Sequence, residues 1–427
     1  MHLNKKSFFR IHGWIGIKLS ILFFIVCFSG TMATLSHEMD WLFNPDIRAK
    51  AQDTYAPKDV IVENLKTQFP EGDMTLWLAA EAPYLCDIIY VTDKGQQWYV
   101  FANPYTGVVQ GATKLTIQRF FRDLHYYLFT PQYQIGYFIV LLFAFMLFIS
   151  MGTALFFYKD WYKKLFELKR GKGRVFFFRS LHRLVGVWSV PFCILFSMTG
   201  MWYFVERTNI ADVGTIANPA IPKTESLKAA GKAAKINAYT IDYDKAVSKA
   251  EAAISGLEVK DIYPPKNAHG SIYLTGISDV KLVRNRANRI YIHPETYEVI
   301  GVQRADALNT KTWINDIIDP LHFGTWGGLL TKIIWFFAGL CISSLVLTGI
   351  WISLKRKVKK KEQQKRQQMG GWKYINGALV GGALCFMYYK LIYQYGISTR
   401  ALGIITCGWA VIISMGWYLF VYRLHKK

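Results

Sequence analysis

FFRIHGWIGIKLSILFFIVCFSGTMATLSHEMDWLFNP, residues 8–45, is the stretch on which the architecture turns. It holds an apolar run of about 20 residues, the length a helix needs to cross a hydrocarbon core of about 30 Å. Lys5, Lys6 and Arg10 lie at its start, and no small-residue cleavage site leads from it into a mature domain. It is therefore read as a retained membrane helix with a cytoplasmic N-terminus. Histidines bracket it, His12 at the start and His37 at the end. Polar rings at a membrane helix need a reason, because unpaired polar groups there are costly.

The rest of the chain fits this beginning. Of its 427 residues, 52% are hydrophobic and 16% aromatic, too apolar for a soluble protein that also carries 51 Lys and Arg. A net charge of +22 suggests nucleic acid only until the cations are located. They cluster beside apolar runs, in KDWYKKLFELKRGKGR (159–174) and LKRKVKKKEQQKR (354–366), which is the positive-inside pattern. No nucleic-acid partner is expected, and membrane lipid is. Six cysteines show no CxxC spacing and five lie inside apolar runs, so no intramolecular disulfide framework is expected.

Six spans are expected, near 14–35, 136–158, 184–205, 329–353, 373–394 and 401–423. A basic loop over 159–183, a basic linker over 354–372 and the terminal RLHKK then fall on the cytoplasmic side with both termini. Segments 36–135 and 206–328 face the other side. In the first, PKDVIVENLKTQF (57–69) has helical periodicity, and MTLWLAA, YLCDIIYV and QWYVFANP read as strands. In the second, IDYDKAVSKAEAAI (241–254) is the helix, followed by the strands SIYLTGIS and NRIYIHP. FANPYTGVVQG (101–111) parallels YIHPETYEVIGV (291–302), each a strand, a turn and a returning strand. The pattern predicts an internal duplication: an α-helical polytopic membrane protein with a four-helix duplicated core, two periplasmic α+β domains, and a C-terminal two-helix hairpin without counterpart in 373–427.

The duplication aligns histidines. His12 falls on His182, Gly16 on Gly186 and Gly30 on Gly200; His125 falls on His322 and Gly152 on Gly349. Two neutral imidazoles from two helices at one depth are what six-coordinate b-type haem requires. The expected ligands are His12 with His182 at the inner face and His125 with His322 at the outer, with His37 a competing outer ligand. Interface hydrogen bonding is the plain alternative for any one of them. Eighteen residues are five turns of a straight helix, so Gly30 is expected on the face of His12 about 27 Å along, where it and Gly200 give clearance to a second macrocycle. Arg10, Arg179 and Arg183 inside, and Arg119 and Arg122 outside, are either propionate partners or ordinary interface cations. Trp41, Trp98, Trp313 and Trp326 are either a docking surface or interface anchors. His2, His269, His293 and His425 lack the repeat relationship or sit in exposed contexts and are read as structural or incidental.

The N-terminal stretch, the NPYTG and HPETY turns, and LHRLVGVWSVPFCILFSMTG together resemble the PepSY-associated transmembrane family, over roughly residues 5–356. This family includes inner-membrane ferric-siderophore reductases. The resemblance implies a bacterial inner-membrane protein with periplasmic PepSY-like domains, haem b in the helical bundle, expected in two copies from the residue pairing above, and electron transfer to iron held by a siderophore. It places the family's helix-start histidines on His12 and His182 and its LH motifs on His125 and His322. No GxGxxG follows a strand, so the electron donor is expected elsewhere, as a quinol or a cytoplasmic flavin reductase. Two readings from other classes stay open: a non-catalytic anchored PepSY module that binds a partner, and a siderophore or metal permease.

Overall fold

The computed structural model describes residues 4–171, 173–224, 236–358 and 371–422. Most of the basic linker, the terminal RLHKK, His2 and His425 lie outside the described residues. The chain divides into two compact units. Met1–Leu35, Phe120–Phe204 and Leu329–Lys427 form one, and Ser36–Arg119 with Val205–Gly328 form the other.

The first unit is helical and apolar. Among the described residues, four helices are long and apolar enough to cross a membrane uninterrupted: Tyr133–Phe157, Thr325–Lys355, Trp372–Gln394 and Thr399–Phe420. Two further runs reach that length only as bent pairs, Lys5–Lys18 with Ser20–Thr34 at 75° and Arg174–Trp188 with Val190–Arg207 at 59°. The protein is a multi-pass membrane protein, and the uninterrupted helices expected over 14–35 and 184–205 are corrected to broken ones.

Each break has a local cause. Pro191 has no N–H to give to the Val187 carbonyl and its ring crowds that carbonyl, so the helix stops and restarts around Ser189. At the other break Leu19 leaves the helical basin, at φ −107° and ψ 7°. Beside it, the Ser20 hydroxyl donates to the Ile17 carbonyl at 3.0 Å, a side-chain bond that competes with the helix ladder. A break in hydrocarbon strands carbonyls that water cannot reach. That of Lys18 accepts a hydrogen bond from Asn376 Nδ2 at 2.7 Å, and Asn376 is itself buried. The first helix of the C-terminal hairpin, Trp372–Tyr389, thus completes the bend.

The second unit is built on one sheet. Its strands are β1 (Asp73–Leu78), β2 (Asp87–Asp93), β3 (Gln96–Ala102), β4 (Val109–Thr113), β5 (Glu258–Tyr263), β6 (Ile272–Ile277), β7 (Asn288–Ile292) and β8 (Val299–Gln303). They run in the order β4-β3-β2-β1-β5-β6-β7-β8, every neighbour antiparallel. The two α+β segments expected as separate small domains therefore share a sheet, joined where β1 meets β5 through Trp77↔Ile262 and Leu78↔Asp261. Alternation along the strands sends Ile89, Val91, Val100, Ile262, Leu274 and Ile290 to one face. There they meet Ile61, Val62 and Leu65 of the helix Lys58–Gln68 and Tyr243, Ala246 and Ala250 of the helix Tyr243–Ala253 in a single core.

Those two helices cap each other. The Asp244 carboxylate accepts from the Lys58 and Asp59 N–H groups at 2.8 and 3.1 Å, and the Asp59 carboxylate accepts from the Tyr243 N–H at 2.8 Å. Each aspartate lies in the first turn of its own helix and serves the N-terminus of the other, satisfying donors that a helix start leaves open and countering its positive end. Asp244→Ala is expected to lower stability by about 1 kcal/mol through loss of this cap, read as a lower melting temperature of the purified protein in detergent, and Asp59→Ala to do the same.

Candidate functional site

His12 and His182 meet inside the helical unit. Their ring centroids lie 6.4 Å apart with the planes 79° to each other. The two rings come from the first helices of the two broken pairs, Lys5–Lys18 and Arg174–Trp188. Each is held through Nδ1 by a further helix. His12 Nδ1 lies 2.9 Å from the Ser150 carbonyl and 3.2 Å from its hydroxyl. His182 Nδ1 lies 2.9 Å from Thr348 Oγ1.

These partners settle the tautomers. A carbonyl only accepts, so His12 carries its proton on Nδ1. The Thr348 hydroxyl gives its hydrogen to the Ser344 carbonyl at 2.8 Å, so it too accepts from the ring. Both imidazoles therefore keep a bare lone pair on Nε2, and neither Nε2 is hydrogen-bonded among the described residues. Metal-binding histidines are arranged in this way, one nitrogen anchored and the other facing the metal. Two metal–nitrogen bonds of roughly 2 Å plus two ring radii put the centroids of an imidazole–metal–imidazole unit about 6 Å apart, which the observed spacing matches.

The glycines near these rings supply room. No atom outside the helix backbone lies within 4 Å of where a Cβ would sit on Gly13, Gly16 or Gly152. On Gly349 a Cβ would meet only His182 Cε1, at 3.5 Å, and on Gly186 only Leu345, at 3.9 Å. Phe157 closes one side, its ring 5.5 Å from that of His12. Two Nε2 lone pairs and this small-residue lining fit the donor set and the flat bulk of a haem. No group of three or more His, Cys, Asp or Glu among the described residues is placed to hold a bare metal ion.

His125 is anchored in the same manner. It lies on the helix Ile117–Tyr127, with Nδ1 3.0 Å from the Val26 carbonyl and 3.4 Å from the Ser29 hydroxyl. Its ring rests on Gly30, where a Cβ would come within 2.7 Å of Cε1. The helix start is capped by Asp40, which accepts from the Ile117 and Gln118 N–H groups at 2.7 and 2.9 Å. LSHEMDWLF therefore contributes a cap through Asp40, while His37 lies half-buried on the helix Ser36–Phe43. His322 belongs to the sheet unit, in the last turn of the helix Thr310–Phe323, which Gly324 ends at φ 71°. Arg284 holds that helix, 2.8 Å from Asp316 and 2.5 Å from Asp319, and Arg286 adds a contact to Asp316 at 3.2 Å.

The expected clearance at Gly30 and Gly200 is filled. The bend at Leu19 breaks the straight-helix phase that related Gly30 to His12, and His125 occupies the space. At Gly200 a Cβ would come within 2.7 Å of the Ala144 methyl, so this glycine lets two helices approach. Arg183 lies over the Tyr158 ring at 5.4 Å, and Arg10 is exposed with no polar partner among the described residues. Trp98 packs against the sheet core beside Phe69, whereas Trp41, Trp313 and Trp326 are exposed.

The residues that fix the rings have no signature in the sequence. Ser150 and Thr348 carry no motif, although each stands one or two positions before a repeat glycine, Gly152 or Gly349. The C-terminal hairpin, which has no counterpart in the repeat, reaches the helix Ile117–Tyr127: Tyr395 donates to the buried Asp123 carboxylate and Lys390 Nζ lies 3.0 Å from the Tyr127 hydroxyl. Both contacts brace the helix that carries His125.

A family model described as a PepSY-associated TM region matches residues 9–356. Comparison with curated proteins gave no match. The hairpin lies beyond the matched region, and its contribution to the bend at Leu19 is separately testable. Asn376→Leu leaves the Lys18 carbonyl without its partner and is expected to cost about 1–3 kcal/mol, measured as earlier thermal unfolding in detergent.

Proposed function

Because the chain belongs to the family of PepSY-associated TM regions, we propose a haem b-containing electron-transfer protein of the bacterial inner membrane that reduces a ferric chelate, such as a ferric siderophore, on the periplasmic side. The observation that supports this best is the pair His12 and His182, both with Nδ1 anchored and Nε2 bare, at the centroid spacing of an imidazole–metal–imidazole unit. Bound haem b supplies a one-electron ferric/ferrous couple.

The chain's own residues do the positioning. His12 and His182 would hold the inner haem through their Nε2 atoms. Ser150 and Thr348, by accepting the Nδ1 protons, fix ring orientation and raise the basicity of the ligating nitrogens. His125 and His322 are the proposed ligands of a second, outer haem, with Gly30 seating the His125 ring and His37 the competing ligand. Arg10 and Arg183 are the inner cations proposed for propionates. With haem bound, electrons would be supplied by a quinol or a cytoplasmic reductase and accepted by iron in the chelate. Reduction releases iron because the oxygen donors of such chelators favour the harder Fe(III). Helix, α+β segment, helix used twice is the organisation proposed for residues 1–356, and the reciprocal aspartate caps and mirrored strand order support it. With both termini cytoplasmic, segments 36–135 and 206–328 are periplasmic.

A reduced-minus-oxidised absorption spectrum of the detergent-purified protein, with haem quantified per chain, tests the reading. Two b-type haems per chain are expected, with one lost in His12→Ala or His182→Ala and the other in His125→Ala or His322→Ala. Protein made with ample haem that shows none would sink the proposal and favour a binding module anchored in the membrane.

A further inference from the structure

The sheet unit carries a cleft of about 420 Å³ on the face turned away from its two helices. Tyr263, Tyr273 and Tyr291 stand directly opposite one another on β5, β6 and β7. They alternate along their strands with the core residues Ile262, Ile272 and Ile292, so they point to the other side. Their rings form a continuous stack, with centroids 4.9 and 5.1 Å apart and planes within 23° of parallel. Gly301, opposite Tyr291 on β8, leaves space for that ring, since a Cβ there would approach it to 3.2 Å.

The charged side chains that line the cleft are of one sign among the described residues, and Asp261, two residues before Tyr263 on the same strand face, is already engaged by the Thr275 hydroxyl and Asn285 Nδ2. Among the described residues, Lys223, Lys266, Arg286 and Arg289 line the cleft and no carboxylate residue does. Arg286 is already neutralised by Asp316 and Glu206 at 3.2 and 3.4 Å. Arg289 is different. It is 3% exposed, and its hydrogen bonds go to the backbone carbonyls of Arg286 and Ala217 at 2.9 and 2.6 Å. Among the described residues no carboxylate pairs with it. A guanidinium buried without a counter-charge is costly, and here it sits in the wall of an open cleft beside an aromatic stack, with two exposed lysines at the rim.

We propose that this cleft binds a tris-catecholate chelate, a compact anion whose aromatic rings stack on the tyrosines and whose negative charge is met by Arg289, Lys223 and Lys266. Three catecholates around one trivalent metal leave the complex trianionic. The cleft volume falls within the roughly 300–1,000 Å³ usual for small-ligand sites. The inference rests on the reading of a ferric chelate as substrate, and it names that substrate's class: anionic and aromatic, in preference to neutral hydroxamates.

Gallium(III) complexes separate binding from reduction, because gallium matches the charge and size of Fe(III) and accepts no electron here. Titration calorimetry on the full chain in detergent is expected to show binding of a hexadentate gallium tris-catecholate and roughly tenfold weaker binding of a neutral gallium trihydroxamate. Lys223→Glu/Lys266→Glu, which changes only exposed side chains, is expected to weaken the catecholate by roughly tenfold and to leave the haem spectrum unaltered. Equal binding of the two chelates, no binding of the catecholate, or an unchanged double variant overturns the proposal. A haem-free preparation that binds the gallium catecholate fells the reductase reading and leaves the cleft assignment standing; a haem-loaded one that does not bind does the reverse.

Discussion

The sheet unit depends on a short seam. β1 and β5 pair over two positions, Trp77↔Ile262 and Leu78↔Asp261, with the Ala79 N–H donating to the Lys260 carbonyl just beyond. Without that seam each set of four strands would expose an inner edge, and an unpaired edge recruits other chains. With it, one core runs under both helices, and the seam is reinforced from that side by Trp77, fully buried, whose indole N–H donates to Asp87 at 2.8 Å. Asp87 also accepts from the Ala80 N–H at 2.9 Å, and burial pushes its carboxyl above the usual range. The reciprocal caps of Asp59 and Asp244 complete the union.

In the helical unit the governing requirement is that hydrocarbon tolerates no idle backbone group. The two broken helices meet it through side chains: Asn376 answers the Lys18 carbonyl, and Ser189 donates back to Val185 at 2.8 Å. The breaks also lie close to the paired imidazoles, since His12 and His182 both lie on the helix preceding one. Ser150 and Thr348 then do for imidazole Nδ1 what Asn376 does for a carbonyl. One polar group on a neighbouring helix fixes another that hydrocarbon would otherwise penalise.

Much of this was legible in the chain itself. Apolar runs marked the membrane segments because hydrophobic length is a local property, and the alternation in DIIYV and QWYVF marked strands for the same reason. The pairing of His12 with His182 was readable from a repeat, which relates residues far apart in sequence. The bend at Leu19 was hidden, because no proline or glycine stands there and its partner Asn376 lies more than 350 residues away. The joining of two α+β segments into one sheet was hidden too, since β5 (EVKDIY) is short, half polar and unremarkable by pattern, and its partner is chosen by tertiary fit. Gly30 and Gly200 show the limit of spacing arguments: the positions were right to notice, and their neighbours differ because the helices that carry them bend.

The seam between β1 and β5 also sets a schedule for biogenesis. Trp77 must await Ile262, and between them the ribosome has to make the span Tyr133–Phe157 and the broken pair Arg174–Trp188 with Val190–Arg207. At about 5–20 residues per second the wait is roughly ten to forty seconds. Through that interval the first four strands stand with β1 as an open edge, and the helix Lys58–Gln68 lacks the aspartate that caps it. The nascent chain is therefore most vulnerable to aggregation and proteolysis while its middle spans are being inserted, and a factor that shields strand edges during that window would raise its yield.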